Sequence, residues 1–274
     1  MNAIISATAL AGELQGPRPP VLLDVRWQLG GPDRRPAYLA GHLPGAVYVD
    51  LDRELAAAPV RAGATRCRTS RRSAPRCARP GWTPPPGRHL RRRPGLGGGP
   101  RLVAAALGCH PEVRVLDGGL AAWDGPLETG EVTPEPGDFI PDPGQLELLD
   151  ADGAAALAAS GVLLDARAAE RYRGDVEPID PVGGHIPGAL SAPTTENTGE
   201  DGRLLPAAEL AGRFAALGAN PGKKVGVYCG SGVSGAHEVL ALAVAGVDAA
   251  LYVGSWSDWS ADPARPVATG PQPG

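Results

Sequence analysis

The chain has 274 residues, room for two domains of ordinary size, and a formal net charge of −4 that argues against a general nucleic-acid role. No apolar run is long enough to span a bilayer, no secretory signal opens the sequence, and the four cysteines show neither metal-ligand nor disulfide-framework spacing. A cytoplasmic protein without metal, cofactor, membrane or nucleic-acid partner is the expectation.

In chain order, the first predicted strand is Val21–Arg26, VLLDVR, followed by Gly41–Ala46, GHLPGA, with 18 positions between Asp24 and His42. Leu116–Trp123, LDGGLAAW, comes next. The same three blocks return in the same order: Val162–Arg167, VLLDAR; Gly184–Ala189, GHIPGA; and Tyr252–Trp259, YVGSWSDW. Asp165 and His185 are 20 positions apart. Three matched blocks in one order mean two copies of one domain. Within each copy, short apolar runs alternate with helical patterns, which predicts an α/β fold with a parallel sheet flanked by helices. The expected division is a first domain over 1–125, a linker over 126–144 rich in proline, and a second domain over 145–274. Gln145–Ser160 and Ala207–Leu217 read as helices. The proline-rich tail Ala261–Gly274 reads as loosely held.

Residues 60–101 break this pattern. They hold 12 arginines and no Asp or Glu, with Arg-Arg-Arg at 91–93 and Pro-Pro-Pro at 84–86. In the second copy the corresponding part supplies a helix and a central strand; here the written residues supply neither. A basic insert for an anionic surface and a solvated loop are two readings. The third, which we favour, is translation out of frame from GC-rich DNA. A two-base shift across Ala64–Thr83 can read HPLPDLAPFGAALRAAGVDA, a helical pattern ending in a loop. On this reading the first domain is disrupted, because a dozen unpaired cations cannot enter a core.

The second copy carries the chemistry. The strand-like run Val225–Tyr228 ends on Cys229; Gly230, Ser231, Gly232, Val233, Ser234 and Gly235 follow, and then an apolar-periodic helix over His237–Ala245. A cysteine at a strand end, before a small-residue loop that opens a helix, faces unpaired backbone N–H groups and the helix dipole. That setting favours an anion, here a thiolate able to act as a nucleophile. Glycines at 230, 232 and 235 permit the tight loop, and the hydroxyls of Ser231 and Ser234 can bond a bound anion or orient the thiol. Asp165 and Arg167 read as a pair holding the strand end beside this loop. His42 and His185 have two readings, a general base or turn histidines bonding backbone, and we favour the second because the block recurs in the copy without the cysteine. Trp256, Trp259 and Tyr252 read as packing residues, and His237 as structural.

The doubled D-x-R, the G-H-[IL]-P-G-A blocks, the G-x-x-x-x-W near each domain end and one C-G-S-G-V-S loop in the second copy together resemble the tandem rhodanese-type sulfurtransferases, which use thiosulfate or 3-mercaptopyruvate. The resemblance covers most of the chain. It implies sulfur transfer through a Cys229 persulfide, with cyanide, a thiol or thioredoxin as acceptor. It implies that the loop from Gly230 to Gly235 binds a small anionic donor and that Arg171 resembles the family's substrate-binding arginine; Arg173 is a weaker candidate, and Asp33 is a weak one for facing the site from the first copy. Ser234 stands where threonine is usual. The uncharged loop resembles the mercaptopyruvate type, yet Asp175–Gly183, DVEPIDPVG, lacks the second arginine usual there, so the donor stays open. Position 235 is Gly where a Cys-loop phosphatase needs Arg. A regulatory module or an inactive product of the disrupted first domain are the alternatives.

Overall fold

The computed structural model describes residues 3–28, 31–51, 112–134 and 146–274, with the backbone of 56–57 and 66–67. The segment 60–101, apart from that short backbone stretch, lies outside the described residues, as does 135–145. The first copy contributes β1 (Ile4–Ile5), α1 (Ala7–Leu14), β2 (Leu23–Asp24), α2 (Arg35–Leu39), β3 (Val47–Tyr48), β4 (Ala56–Ala57), β5 (Arg66–Cys67) and β6 (Val115–Leu116). The second contributes β7 (Leu148–Leu149), α3 (Ala151–Ser160), β8 (Val162–Asp165), α4 (Ala169–Arg173), β9 (Leu190–Ser191), α5 (Ala207–Ala216), β10 (Val225–Tyr228), α6 (Val233–Val244), β11 (Ala250–Tyr252) and α7 (Ser255–Trp259).

In the second copy five parallel strands form one sheet in the order β7-β11-β10-β8-β9, with β10 at its centre. Both faces are covered, so the strands read as continuous apolar runs rather than alternating ones. Successive residues still point to opposite faces. Leu163, Tyr228 and Tyr252 join Ala154, Trp256 and Trp259 on one side, while Leu164, Val227 and Leu251 join Leu210, Phe214 and Leu242 on the other. Helix α3 starts at Ala151, where the Asp150 carboxylate accepts from the Gly153 N–H at 2.8 Å, and not at Gln145 as expected, because β7 occupies Leu148–Leu149.

The first copy repeats the outer pairs of that sheet. β1 pairs with β6 as β7 does with β11, and β2 pairs with β3 as β8 does with β9, all in parallel. The position of a strand equivalent to β10 falls outside the described residues, and the two pairs stand as separate two-stranded sheets. The repeat extends to side chains. Arg26 meets Asp24 at 2.8 Å, and Arg167 meets Asp165 at 2.6 Å. Tyr38 stacks on His42 and Tyr172 on His185, each tyrosine hydroxyl donating at 2.8 Å to the alanine that ends the block, Ala46 or Ala189. Both histidines place Nδ1 against the carbonyl of the stacked tyrosine, at 2.9 and 2.8 Å, so they shape the turn as expected.

The tail departs from expectation. Ala268 exchanges backbone hydrogen bonds with His185 at 2.9 and 3.0 Å, and Pro273 O accepts from the Gly188 N–H at 2.7 Å. Glu128, at the start of the expected linker, pairs in the same way with His42. Proline-rich composition misleads here because the docking uses both backbone groups of the non-proline residues Ala268 and Glu128, and of Pro273 the carbonyl, which proline keeps. Among the described residues, no helix is long and apolar enough to cross a membrane.

Helix α6 carries two ionisable groups into the core. His237 Nδ1 lies 2.7 Å from Thr194 Oγ1, and Glu238 accepts from Asn197 at 2.6 Å and from Arg213 at 3.3 Å. Burial lowers the His237 pKa from 6.5 to about 4 and raises that of Glu238 from 4.5 to about 7. The two act on stability with opposite sign. The His237 contribution is lost as pH falls from 6.5 towards about 4, and the Glu238 contribution is lost as pH rises from 4.5 towards about 7. Between 4.5 and 6.5 the two slopes cancel. Glu238→Gln leaves only the histidine slope. Relative to wild type, its stability should therefore climb with pH by on the order of 3 kcal/mol. Urea midpoints measured across this range check the claim; a variant with the same pH dependence as wild type contradicts it.

Candidate active site

Cys229 stands at the carboxyl end of the central strand, the usual place for a site in a parallel sheet. Its side chain is 2% exposed, and its Sγ accepts from the Gly232 N–H at 3.2 Å. Gly232 has φ +86, and a Cβ there would fall 2.9 Å from Val253 O, so only glycine fits the turn that aims this N–H at the sulfur. Helix α6 starts at Val233, four residues before the expected start, so Val233, Ser234 and Gly235 form its first turn. The helix thus opens one residue after the Gly232 N–H that meets the sulfur, so the positive end of its dipole adjoins the thiol. Ser231 and Ser234 are half-buried, whereas Val233 and Gly235 are buried.

A second element braces the thiol from behind. The Cys229 N–H donates to Ser255 Oγ at 3.1 Å, and that hydroxyl donates to Tyr252 O at 2.9 Å. Ser255 has φ +54, the left-handed region that a residue with a side chain seldom adopts. The matching position of the first copy is Gly119, at φ +61. Serine stands at this glycine position only in the copy that carries the cysteine. That contrast between the blocks LDGGLAAW and YVGSWSDW is the sequence signal that marks Ser255. The next two N–H groups, of Trp256 and Ser257, donate to the carbonyls of Cys229 and Gly230 at 2.9 and 3.0 Å.

The expected Asp165–Arg167 pair is present and buried. Arg167 reaches both Asp165 oxygens, donates to Gly184 O at 2.5 Å and lies over the Trp256 ring at 4.6 Å. The register sets Asp165 opposite Tyr228, one residue before Cys229, so the pair fixes the strand end beneath the loop. Arg171, on α4, comes to the site as expected: its Nη1 lies 3.3 Å from where a Cβ on Gly230 would stand. It is also paired with two acids the sequence reading did not single out. Glu177 meets Arg171 Nη2 at 2.5 Å and Arg167 Nη1 at 3.3 Å, and Asp180 meets Arg171 Nη2 at 3.5 Å. Burial raises the Asp180 pKa, with Glu177 adding to the effect and Ser257 opposing it. Arg173 pairs with Asp175 on the surface, and Asp33 accepts from the Arg35 N–H at 2.9 Å. Trp256 is core, its indole donating to Val182 O at 2.9 Å.

Comparison with known proteins agrees with this geometry. The family model described as a rhodanese-like domain matches residues 145–262. A Mycobacterium tuberculosis protein bearing the name thiosulfate sulfurtransferase SseB is 43% identical over 298 residues, covering 98% of each chain. The human 3-mercaptopyruvate sulfurtransferase is 30% identical over 292 residues, covering 94% of this chain and 92% of its own. The crystal structure of SseA from Escherichia coli, described under 3-mercaptopyruvate sulfotransferases, superposes with a TM-score of 0.75 at 27% identity over 94% of this chain and 100% of that one. A full-length relative at this identity, together with the repeat and the cysteine loop, places the chain among the tandem-domain rhodanese-type sulfurtransferases, the family of thiosulfate and 3-mercaptopyruvate sulfurtransferases.

Proposed function

We propose that the protein moves a sulfane sulfur from thiosulfate or 3-mercaptopyruvate to a thiophilic acceptor through a persulfide on Cys229, with cyanide or a thiol such as that of thioredoxin as acceptor, in the cytoplasm. Residues 145–274 act as the catalytic domain, residues 1–125 as the copy without the cysteine, and 126–144 as the connection between them. The observation that carries the reading is the Cys229 sulfur at the central strand end, met by the Gly232 N–H at 3.2 Å and overlooked by Arg171 at Gly230.

The chemistry follows from those groups. The Cys229 thiolate attacks the outer sulfur of thiosulfate; the S–S bond breaks, sulfite leaves with the electron pair, and the new persulfide keeps one negative charge. Backbone N–H groups from Gly230 to Gly235 hold that charge without an acidic proton that would quench it. Ser231 and Ser234 supply half-buried hydroxyls, and the buried Val233 closes the loop. Asp165 and Arg167 fix the strand end, and Arg171 meets the donor anion. An acceptor then attacks the outer sulfur and restores the thiolate, a double displacement.

Thiocyanate formation from cyanide with each donor tests the proposal. Folded wild-type protein should turn over at least one of the two, and Arg171→Ala should lose about a hundredfold in kcat/KM. No thiocyanate from either donor, or an Arg171→Ala variant as efficient as wild type, would contradict it.

A further inference from the structure

Around Arg171 stand the two acids Glu177 and Asp180, and they differ in how fully they are used. Glu177 is saturated. Its Oε1 accepts from Arg171 Nη2 and from the N–H groups of Ile179 and Asp180 at 3.1 and 3.2 Å, and its Oε2 from Arg167 and Arg171. It closes the 175–183 loop and belongs to the scaffold. Asp180 has looser tethers: Arg171 Nη2 at 3.5 Å and a hydrogen bond from the Ser257 side chain. Both tethers end on one residue. Arg171 Nη1 faces Gly230, and the Ser257 N–H donates to Gly230 O at 3.0 Å. Gly230 adjoins Cys229, so the Asp180 carboxylate, 5% exposed, is linked through Arg171 to the residue next to the sulfur.

The charges do not balance. Two arginines, Arg167 and Arg171, serve three acids, Asp165, Glu177 and Asp180, which leaves one negative charge in excess. In a site screened from bulk water such a charge acts strongly on an incoming anion, and twice as strongly on a dianion as on a monoanion.

We infer that Asp180 is a specificity-determining residue whose carboxylate favours singly charged sulfur donors over doubly charged ones at Cys229. This rests on the sulfurtransferase reading of that cysteine. Two donors of one chemistry isolate the charge. Thiosulfate, a dianion, gives its outer sulfur to the thiolate and leaves as sulfite. The methanethiosulfonate anion, a monoanion, gives its outer sulfur to the same thiolate and leaves as methanesulfinate. In each case one S–S bond breaks, one forms, and the leaving group carries off the electron pair.

The experiment measures kcat/KM for both donors with cyanide as acceptor, corrected for the reaction without protein. It compares wild type, Asp180→Asn, Asp180→Ser, Asp175→Asn and Cys229→Ser. Asp180→Asn should shift the ratio of thiosulfate to methanethiosulfonate about tenfold towards thiosulfate. Asp180→Ser should shift it in the same direction. Asp175→Asn, which removes the same charge from the exposed Arg173 pair, should leave the ratio unchanged. An Asp180 ratio within twofold of wild type, or loss of both donors alike in both Asp180 variants, overturns the inference: Asp180 would then only hold the loop. Failure of the sulfurtransferase reading looks different, because Cys229→Ser would then match wild type with both donors.

Discussion

Cys229→Ser is expected to lower sulfur transfer by about 10⁴-fold or more with either donor, the scale seen when a covalent nucleophile is removed. A serine hydroxyl is not ionised near neutral pH, and an oxygen cannot form the persulfide that carries sulfur between the two half-reactions. The fold should hardly notice. Serine is nearly isosteric, and its Oγ can accept the Gly232 N–H that now meets Sγ at 3.2 Å. The thermal midpoint should therefore stay close to wild type while activity disappears. Thiocyanate production and a melting curve on the same preparation check both halves. Activity retained in the serine variant would remove Cys229 from the chemistry.

Arg167→Ala should give the largest loss of stability. The guanidinium is 3% exposed and serves Asp165, which is fully buried, together with Glu177 and Gly184 O. Burial alone would lower the Arg167 pKa, but the charge and hydrogen bonds of Asp165, with Glu177 adding to them, together raise it above its ordinary value, so the arginine stays charged. Truncation leaves the Asp165 carboxylate without its partner beneath the central sheet and removes the cation stacked on Trp256. Breaking a buried pair in this way costs about 3–5 kcal/mol, equivalent to a fall in melting temperature of roughly 10 °C for a unit this size. Arg167→Lys keeps the charge and loses the fork, so it should fall between the two. A melting temperature for Arg167→Ala within about 2 °C of wild type would show that the pair is dispensable.

The parts of the site legible in the sequence are those held in short contiguous blocks. The D-x-R pair, the G-H-x-P-G-A turn and the cysteine at a strand end each occupy a few consecutive residues, and repetition separates the first two from chance. Burial of both sheet faces made the strands readable as apolar runs. What escaped depends on contacts far apart in the chain. The Ser255 clamp reaches back 26 residues to Cys229, and the hydrogen bond from Trp256 to Val182 spans 74. No periodicity marks such pairs. Glu177 and Asp180 were visible only as a segment lacking an arginine; that they face Arg171 follows from α4 and the 175–183 loop folding back on each other. The prolines of the tail suggest a loose segment, yet the tail docks on a histidine turn by exchanging backbone hydrogen bonds through Ala268, as Glu128 does at the start of the linker. The start of α6 was placed too late because glycine and serine in its first turn are weak helix formers, held there by the packing of the buried Val233 and Gly235.

The central claim is the persulfide on Cys229, and mass spectrometry of the protein after incubation with the donor it turns over, in the absence of an acceptor, tests it most directly. The predicted result is the gain of one sulfur atom on the peptide containing Cys229, matched by an equal amount of released sulfite from thiosulfate or pyruvate from 3-mercaptopyruvate, and reversed by cyanide. Continued thiocyanate production with no sulfur on that peptide, or with the sulfur on Cys67, Cys77 or Cys109 instead, would contradict it.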